Sequence, residues 1–370
     1  MMTIQTSILI IYIICTLVLM WFYLYYFSSV LSHKNHPKSS SLPPISIIIA
    51  SRNEAENLKK LIPILLNQNY PQFEIIIVND RSADNSSKVL LEFDDIRINE
   101  IVIKQVPEGR DAKKNAITIG IQHANFEHLV FTDADCRPAS SNWLLEYGKI
   151  YSSSPETEVI IGYSPHYKSK GILGKFIEFE TATTLLTYLG KAKKSKPYMA
   201  VGRNMSYTKT FFKQCDGFGS FINVTGGDDD IIINKYAIKE KTKVNTNPES
   251  AVYTFAKKDL RSYIKQKKRH LSVGKKYNLA DKIFSASYWL SLIVQYAGLI
   301  LIIWLPELLA FIISLYTFRL IIAMIVYYKA KRLLRLPLST VMLSVLEILF
   351  IFYVVSLGTA SLYSKKIKWN

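Results

Sequence analysis

The chain has 370 residues, 49% of them hydrophobic, and its 46 Lys plus Arg against 29 Asp plus Glu give a formal net charge of +17. Apolar residues gather in continuous runs at both ends while charge and loop residues fill the middle, which reads as membrane, soluble domain, membrane. The three cysteines, Cys15, Cys136 and Cys215, lack paired or metal-ligand spacing and so exclude a disulfide framework, and no RNA-recognition, zinc-finger or basic-zipper pattern accompanies the positive charge, which excludes nucleic acid as its partner.

From Ile8 to Val30 there is no charged residue, enough helix to cross roughly 30 Å of hydrocarbon. The stretch lacks a basic leader and a small-residue cleavage site, so it reads as an uncleaved anchor and not as a signal peptide. Lys34 and Lys38 follow in a Ser/Pro-rich linker ending at Pro43 and Pro44, and by the positive-inside rule they place what comes next in the cytoplasm.

The middle of the chain alternates two periodicities. Near-continuous apolar runs at Ile45 to Ala50 and Glu74 to Asp80 predict parallel strands buried on both faces, and Leu58, Leu61, Ile62, Leu65 and Leu66 between them fall at helical spacing. The pattern continues with a strand over Ile98 to Ile103, a helix around Ala112 to Ala124 and a strand over His128 to Thr132. The expected fold class is therefore α/β, with a doubly wound, mostly parallel sheet whose ligands bind beyond the carboxyl ends of its strands. Gly171 to Leu189 predicts a further helix, either amphipathic at the membrane interface or internal to the core.

Lys257, Lys258, Arg261, Lys265, Lys267, Lys268, Arg269, Lys275 and Lys276 precede the next apolar run, as in a juxtamembrane segment beside anionic lipid. Three apolar stretches follow, Ser285 to Leu305, Leu308 to Tyr328 and Ser339 to Tyr363, each about the length of a span. Lys329, Lys331, Arg332 and Arg335 put one connection in the cytoplasm, whereas Lys365, Lys366 and Lys368 would lie outside, against the rule. Arg319 and Glu347 within these stretches should face protein or a cavity, because either is costly in lipid. The expected division is 1–43 for anchor and linker, 44–277 for a cytoplasmic catalytic domain and 278–370 for a membrane region with about three helices.

Three groups of acids sit where such a sheet presents ligands. Asp133 and Asp135 of TDAD, directly after the run HLVF, offer hard oxygen ligands suited to Mg²⁺ or Mn²⁺. Asp228, Asp229 and Asp230 follow two glycines and open a helical stretch; one of them can act as general base, since three exceed what helix capping requires. Asp80 ends a predicted strand and can accept a hydrogen bond from a ligand or close an Asx turn.

Taken in order, ISIIIASRNEAENL, IIIVNDRSADNS, GRDAKKNAI, VFTDADCRP, YMAVGRNMSY and GGDDDII resemble the successive motifs of inverting glycosyltransferase family 2, over roughly Ile45 to Arg269. The resemblance implies a GT-A nucleotide-diphospho-sugar fold and an enzyme of the hexosyltransferase type. It would transfer a sugar from a nucleotide donor, a UDP-sugar favoured, to a lipid or glycan acceptor at the membrane, in cell-envelope polysaccharide or glycolipid synthesis. By the same resemblance Ala50, Ser51, Arg52 and Glu54 line the nucleotide pocket and Asp80 meets the base. Lys113 or Lys114 lies near the diphosphate, and Asp133 and Asp135 hold the metal. Arg203 and Asn204 contact donor sugar or acceptor, and the catalytic Asp is one of Asp228, Asp229 and Asp230, with Asp228 or Asp229 preferred. QKKRH is similar to the QxxRW motif of membrane polysaccharide synthases and ceramide glucosyltransferases, which places Gln266, Arg269 and His270 on the acceptor side. His270 stands where that motif has tryptophan, which weighs against processive polymer synthesis. A processive synthase and a non-catalytic membrane scaffold are the alternative readings.

Overall fold

A computed structural model describes residues 2–32 and 41–363. The basic residues used to orient the two ends, Lys34, Lys38, Lys365, Lys366 and Lys368, lie outside the described residues. A seven-stranded sheet runs in the order β3-β2-β1-β4-β7-β6-β8. Its strands are β1 Ile45–Ser51, β2 Phe73–Asp80, β3 Ile98–Ile103, β4 His128–Phe131, β6 Val159–Ile161, β7 Met205–Thr208 and β8 Thr242–Val244; β5 Arg137–Pro138 and β9 Val252–Tyr253 form a separate antiparallel pair.

The apolar runs form strands because both faces are covered. Ile48 of β1 sits level with Ile76 of β2 and Phe131 of β4, all in parallel register, and the three side chains are buried. On one face the Ala55–Leu66 helix buries Leu58, Leu61, Ile62 and Leu65. On the other lies the Ala112–His123 helix, where a Cβ on Gly120 would come within 2.9 Å of the Ile48 Cγ2, so only glycine allows this approach. β7 runs antiparallel to both β4 and β6, and the remaining pairs in the sheet are parallel. The sheet is the mostly parallel one expected. β1 feeds neighbours on both sides, which makes the ends of β1 and β4 the switch point where a crevice opens.

Among the described residues three helical stretches are long and apolar enough to cross a membrane, Ile4–Val30, Leu279–Leu301 and Pro306–Leu333, and the Leu343–Tyr363 helix contains a shorter apolar stretch, Leu343–Ser356. The first is continuous through a turn of π-helix at Phe22–Phe27. Its aromatic side chains interlock with the later helices: Phe22 with Phe284 and Tyr288, and Phe27 with Tyr327, at ring separations of 4.9 to 6.2 Å. Arg319 and Glu347 face protein, as their cost in lipid requires. Both are fully buried, and the Arg319 Nη1 donates to both Glu347 carboxylate oxygens at 2.7 and 2.8 Å. Tyr296 donates to the same carboxylate at 2.7 Å, and the guanidinium lies 5.0 Å from the Tyr316 ring centroid.

The Gly171–Lys194 helix resolves the choice left by its sequence. It is an internal helix: Phe179 meets Tyr327 and Phe350 of the later apolar helices, Gly190 abuts the backbone of Tyr26, and Tyr188 on its other side donates to the Gly162 carbonyl just beyond β6 at 3.0 Å.

Candidate active site

A cavity of about 610 Å³ opens beyond the carboxyl ends of β1 and β4. From the sheet it receives Ala50, Arg52, Glu54, Asp133 and Asp135; from the helix after β3, Lys113; and from the loop before β7, Arg203. Asp228, Asp229 and Asp230 enter from the start of the Asp230–Tyr236 helix, and Gln266, Arg269 and His270 from the Leu260–Gly274 helix. Residues far apart in sequence thus meet in one space.

The acid cluster is positioned by backbone that only glycine permits. Gly226 and Gly227 have φ of +75° and +77°, and a Cβ on Gly227 would lie 2.6 Å from the Ile231 Cδ1. The turn brings three carboxylates together in three different environments. Asp228 is buried and 3.2 Å from the Lys113 Nζ, which also contacts Asp133 at 3.1 Å, so this lysine links the strand-end acids to the cluster. Burial pushes the Asp228 carboxyl up, but Lys113 and Lys114 outweigh it and hold it below the ordinary range. Asp229 accepts backbone N–H bonds on both oxygens, from Gly202 at 2.7 Å and Asp230 at 2.8 Å. Burial and then the Asp228 charge raise its pKa. Asp230 is pushed well above the ordinary range by burial and by Asp229, with the Tyr277 hydroxyl as partner.

Asp133 and Asp135 lie with the Cys136 Sγ in a group whose ligand atoms are all within 4.8 Å of one another. The buried Cys136 thiol is raised well above its ordinary pKa by burial and then by the two carboxylates, and it donates to Asp135 at 3.3 Å. It is thus a neutral thiol, unsuited to a hard cation. The oxygens of Asp133 and Asp135, half-buried and exposed respectively, are the donor type Mg²⁺ or Mn²⁺ takes, with room for further oxygen ligands from the cavity. Glu54 stands close by: burial raises its pKa first, and Asp135 and Asp133 raise it further.

Four of the expected residues lie outside the lining of this cavity. Asn204 is fully buried, accepting from the Trp143 Nε1 at 3.0 Å and the Tyr147 hydroxyl at 2.8 Å while donating to the Tyr163 and Ser250 carbonyls. Its side chain ties the strand before the cavity to the Trp143–Ser153 helix and cannot also serve a sugar, which corrects the expected contact. Lys114 is buried and donates to the Val224 and Gly226 carbonyls, so it shapes the glycine turn, and Lys113 is the lysine that reaches the cavity. Ser51 is buried with its hydroxyl on the Val78 carbonyl at 3.4 Å. Asp80 accepts from its neighbour Arg81 on both oxygens, at 2.8 and 3.0 Å, outside the lining of the cavity. Conversely, the cavity takes in His166, Glu180, Phe255 and Lys257, none of which the sequence singled out as a site residue. Glu180 is paired with Lys267 at 2.6 Å; its position in a run of apolar residues is the one sequence signal for it.

Residues 46–213 match the family model described as Glycosyl transferase family 2. Poly-beta-1,6-N-acetyl-D-glucosamine synthase of Staphylococcus epidermidis is 26% identical over 245 residues, 64% of this chain and 56% of that protein. Glycosyltransferase AglE of Haloferax volcanii is 34% identical over 109 residues, 29% of this chain and 34% of that one. The chain spans about half the length, or less, of these curated relatives. Among solved structures, the mannosyltransferase PcManGT from Pyrobaculum calidifontis, in complex with GDP-Man and Mn²⁺, superposes with a TM-score of 0.59 at 14% identity, covering 97% of this chain and 100% of that one, a likeness of fold.

Proposed function

The chain carries a glycosyltransferase family 2 domain with the GT-A fold, and from that premise we propose that it transfers a sugar from a nucleotide-diphospho-sugar to the hydroxyl of a lipid-linked or membrane-proximal acceptor, with inversion. The observation that carries this reading is the shared cavity, in which Lys113 stands between Asp133 and Asp228, a paired acid site on one side and the acid cluster on the other.

In this reading Arg52 and Glu54 receive the nucleotide and Lys113 turns to the diphosphate, whose negative charge it offsets. Asp133 and Asp135 would hold Mg²⁺ or Mn²⁺, which supplies further charge neutralisation to the departing diphosphate. Asp229 is the general base. Two backbone amides fix its carboxylate, and its raised pKa makes it a better proton acceptor than Asp228, which Lys113 keeps weakly basic. It takes the proton as the acceptor oxygen attacks the anomeric carbon and the bond from that carbon to the diphosphate oxygen breaks. No side chain in the cavity is assigned as a nucleophile, so a single displacement, with inversion, is the expected course.

The catalytic part, taken as residues 44–277, faces the cytoplasm in this reading, where nucleotide sugars are supplied; the basic residues 257–276 and Lys329 to Arg335 support that orientation. Similarity to the Staphylococcus epidermidis poly-beta-1,6-N-acetyl-D-glucosamine synthase favours a second reading, polymer synthesis. The test is transfer by the purified full chain in detergent from a panel of UDP- and GDP-sugars onto lipid extract. Transfer from one donor supports the proposal, a ladder of products on each acceptor selects the second reading, and neither transfer nor donor hydrolysis overturns both.

A further inference from the structure

Asp229 stands at the start of a helix of only seven residues, Asp230–Tyr236. A helix this short has no stability of its own, so its orientation, and with it the aim of the carboxylate, is set by what it touches. On one side Ile231, Ile232 and Ile233 are buried in the core. The other contacts are polar. Asp230 and Asn234, four residues apart, share a face, and both meet residues 277–281, which lead into the Leu279–Leu301 helix. The Tyr277 hydroxyl pairs with Asp230. The Asn234 amide donates to the Asp281 Oδ2 at 2.7 Å and to the Tyr198 carbonyl at 3.2 Å, and its oxygen accepts the Asn278 N–H at 3.1 Å. Both amide protons and the oxygen are thus committed.

Asp281 is the centre of this arrangement. It is buried in the first turn of the Leu279–Leu301 helix, and its second oxygen accepts from Lys191, in the last turn of the Gly171–Lys194 helix. The Lys191 ammonium lies 4.4 Å from the Phe284 ring centroid and 5.1 Å from that of Tyr198, so aromatic rings wall it in and the carboxylate is its counter-charge. One carboxylate therefore ties three helices together: the wall of the cavity, the root of the next apolar helix and the helix that begins at Asp229. Apolar side chains of similar volume would hold these helices together as well. What the directed bonds add is a fixed rotation of the short helix about its axis.

Resting on the assignment of Asp229 as general base, we propose that Asp281 is a positioning residue for the transfer step: through Asn234, with Tyr277 on Asp230 as a second arm, it aims the Asp229 carboxylate at the acceptor hydroxyl. About 7 Å of helix, with neither Gly nor Pro in it, separates Asn234 from Asp229, so a shift at one end is carried to the other. Arg52, Glu54 and Lys113, which receive the nucleotide in that reading, stand on other elements and do not share this support. Misplacement of the base should therefore appear in turnover and not in donor binding.

The test uses the full chain in detergent, with initial rates at saturating donor, nucleotide titration and thermal unfolding on the same samples. Asp281→Asn offers one acceptor oxygen to two donors, and should lower turnover about ten- to a hundredfold with nucleotide affinity unchanged. Asp281→Glu keeps the charge opposite Lys191 but shifts the carboxylate, and should show the same split. Tyr277→Phe loses only a hydroxyl and should lower turnover about threefold. Each substitution is then combined with Asp229→Asn. With no base left to aim, it should cause no further loss, whereas damage to the fold would add to that of Asp229→Asn. The proposal is overturned if a folded Asp281 variant turns over within about twofold of the parent, if the loss persists undiminished beside Asp229→Asn, or if it appears as weaker nucleotide binding. Should neither Asp281 variant fold, Tyr277→Phe decides, and turnover equal to the parent overturns the proposal. Parent-like turnover of Asp229→Asn alone would overturn the base assignment, and the positioning role with it.

Discussion

Replacing Asp229 by Asn separates the chemistry of the carboxylate from its place in the fold. Both oxygens of Asp229 accept a backbone N–H, from Gly202 at 2.7 Å and from Asp230 at 2.8 Å. An amide has one acceptor oxygen, so its NH₂ group must face one of these N–H donors, and leaving that donor unpaired costs about 1–3 kcal/mol. Loss of the general base should lower turnover by about 10²–10⁴-fold, a larger effect than the local strain, with nucleotide affinity nearly unchanged. Two neighbours act as controls. Asp228→Asn removes the ion pair with Lys113 and should weaken nucleotide and metal binding as well as turnover. Asp230→Asn replaces a carboxyl whose pKa burial and then Asp229 raise well above the ordinary range, and should be the mildest of the three. The assay is initial-rate transfer with saturating donor, alongside nucleotide titration and thermal unfolding. In the parent enzyme, transfer should rise with pH as Asp229 loses its proton, through a midpoint above the ordinary aspartate value of about 4. Asp229→Asn protein that is folded, binds nucleotide and retains turnover within about tenfold of the parent would refute the assignment of the base.

Asp135→Asn should reduce Mn²⁺ binding, read by electron paramagnetic resonance of the free ion in the presence of UDP, and cut transfer at least about a hundredfold; unaltered Mn²⁺ affinity would remove Asp135 from the metal site. Glu347→Gln leaves the fully buried Arg319 without its counter-charge and should cost about 3–5 kcal/mol, seen as a lower unfolding temperature in detergent, while Arg319→Met combined with Glu347→Leu should recover most of it. A Gln variant as stable as the parent contradicts that account. Asp230 is expected to contribute stability fully below about pH 4, where folded and unfolded chains are both protonated, and to lose it as pH rises toward its raised folded pKa; Asp230→Asn should flatten this part of the pH–stability curve, and parallel curves would show that Asp230 ionises freely.

How much was legible in the sequence follows from how local each signal is. β1, β2 and β4 were readable because strands covered on both faces are apolar throughout, and the strand-end acids Asp133 and Asp135 were readable because they come directly after one. Asn204 misled, since a GRN segment does not say where its side chains go. Its partners Trp143 and Tyr147 are 61 and 57 positions away, and they fix it in the interior. The same non-locality hid the packing of Tyr167, whose ring stacks between those of Tyr253 and Phe255, on a segment that only the folded backbone lays beside it. Among Asp228, Asp229 and Asp230, residue type is identical, and the distinction arises from Lys113, the Gly202 amide and Tyr277, all supplied by other parts of the chain.

The Gly171–Lys194 helix is a party wall. Glu180, Thr184 and Tyr188 line the cavity from it, while Phe179 and Gly190 of the same helix rest on Tyr327, Phe350 and Tyr26. Shearing off the hydrophobic ends to obtain a water-soluble enzyme would therefore strip the support from behind the cavity and leave those apolar contacts facing water. Catalytic competence and the packing of the apolar helices are one folding problem for this chain, and a detergent or lipid that loosens those helices should be felt first as a loss of substrate binding.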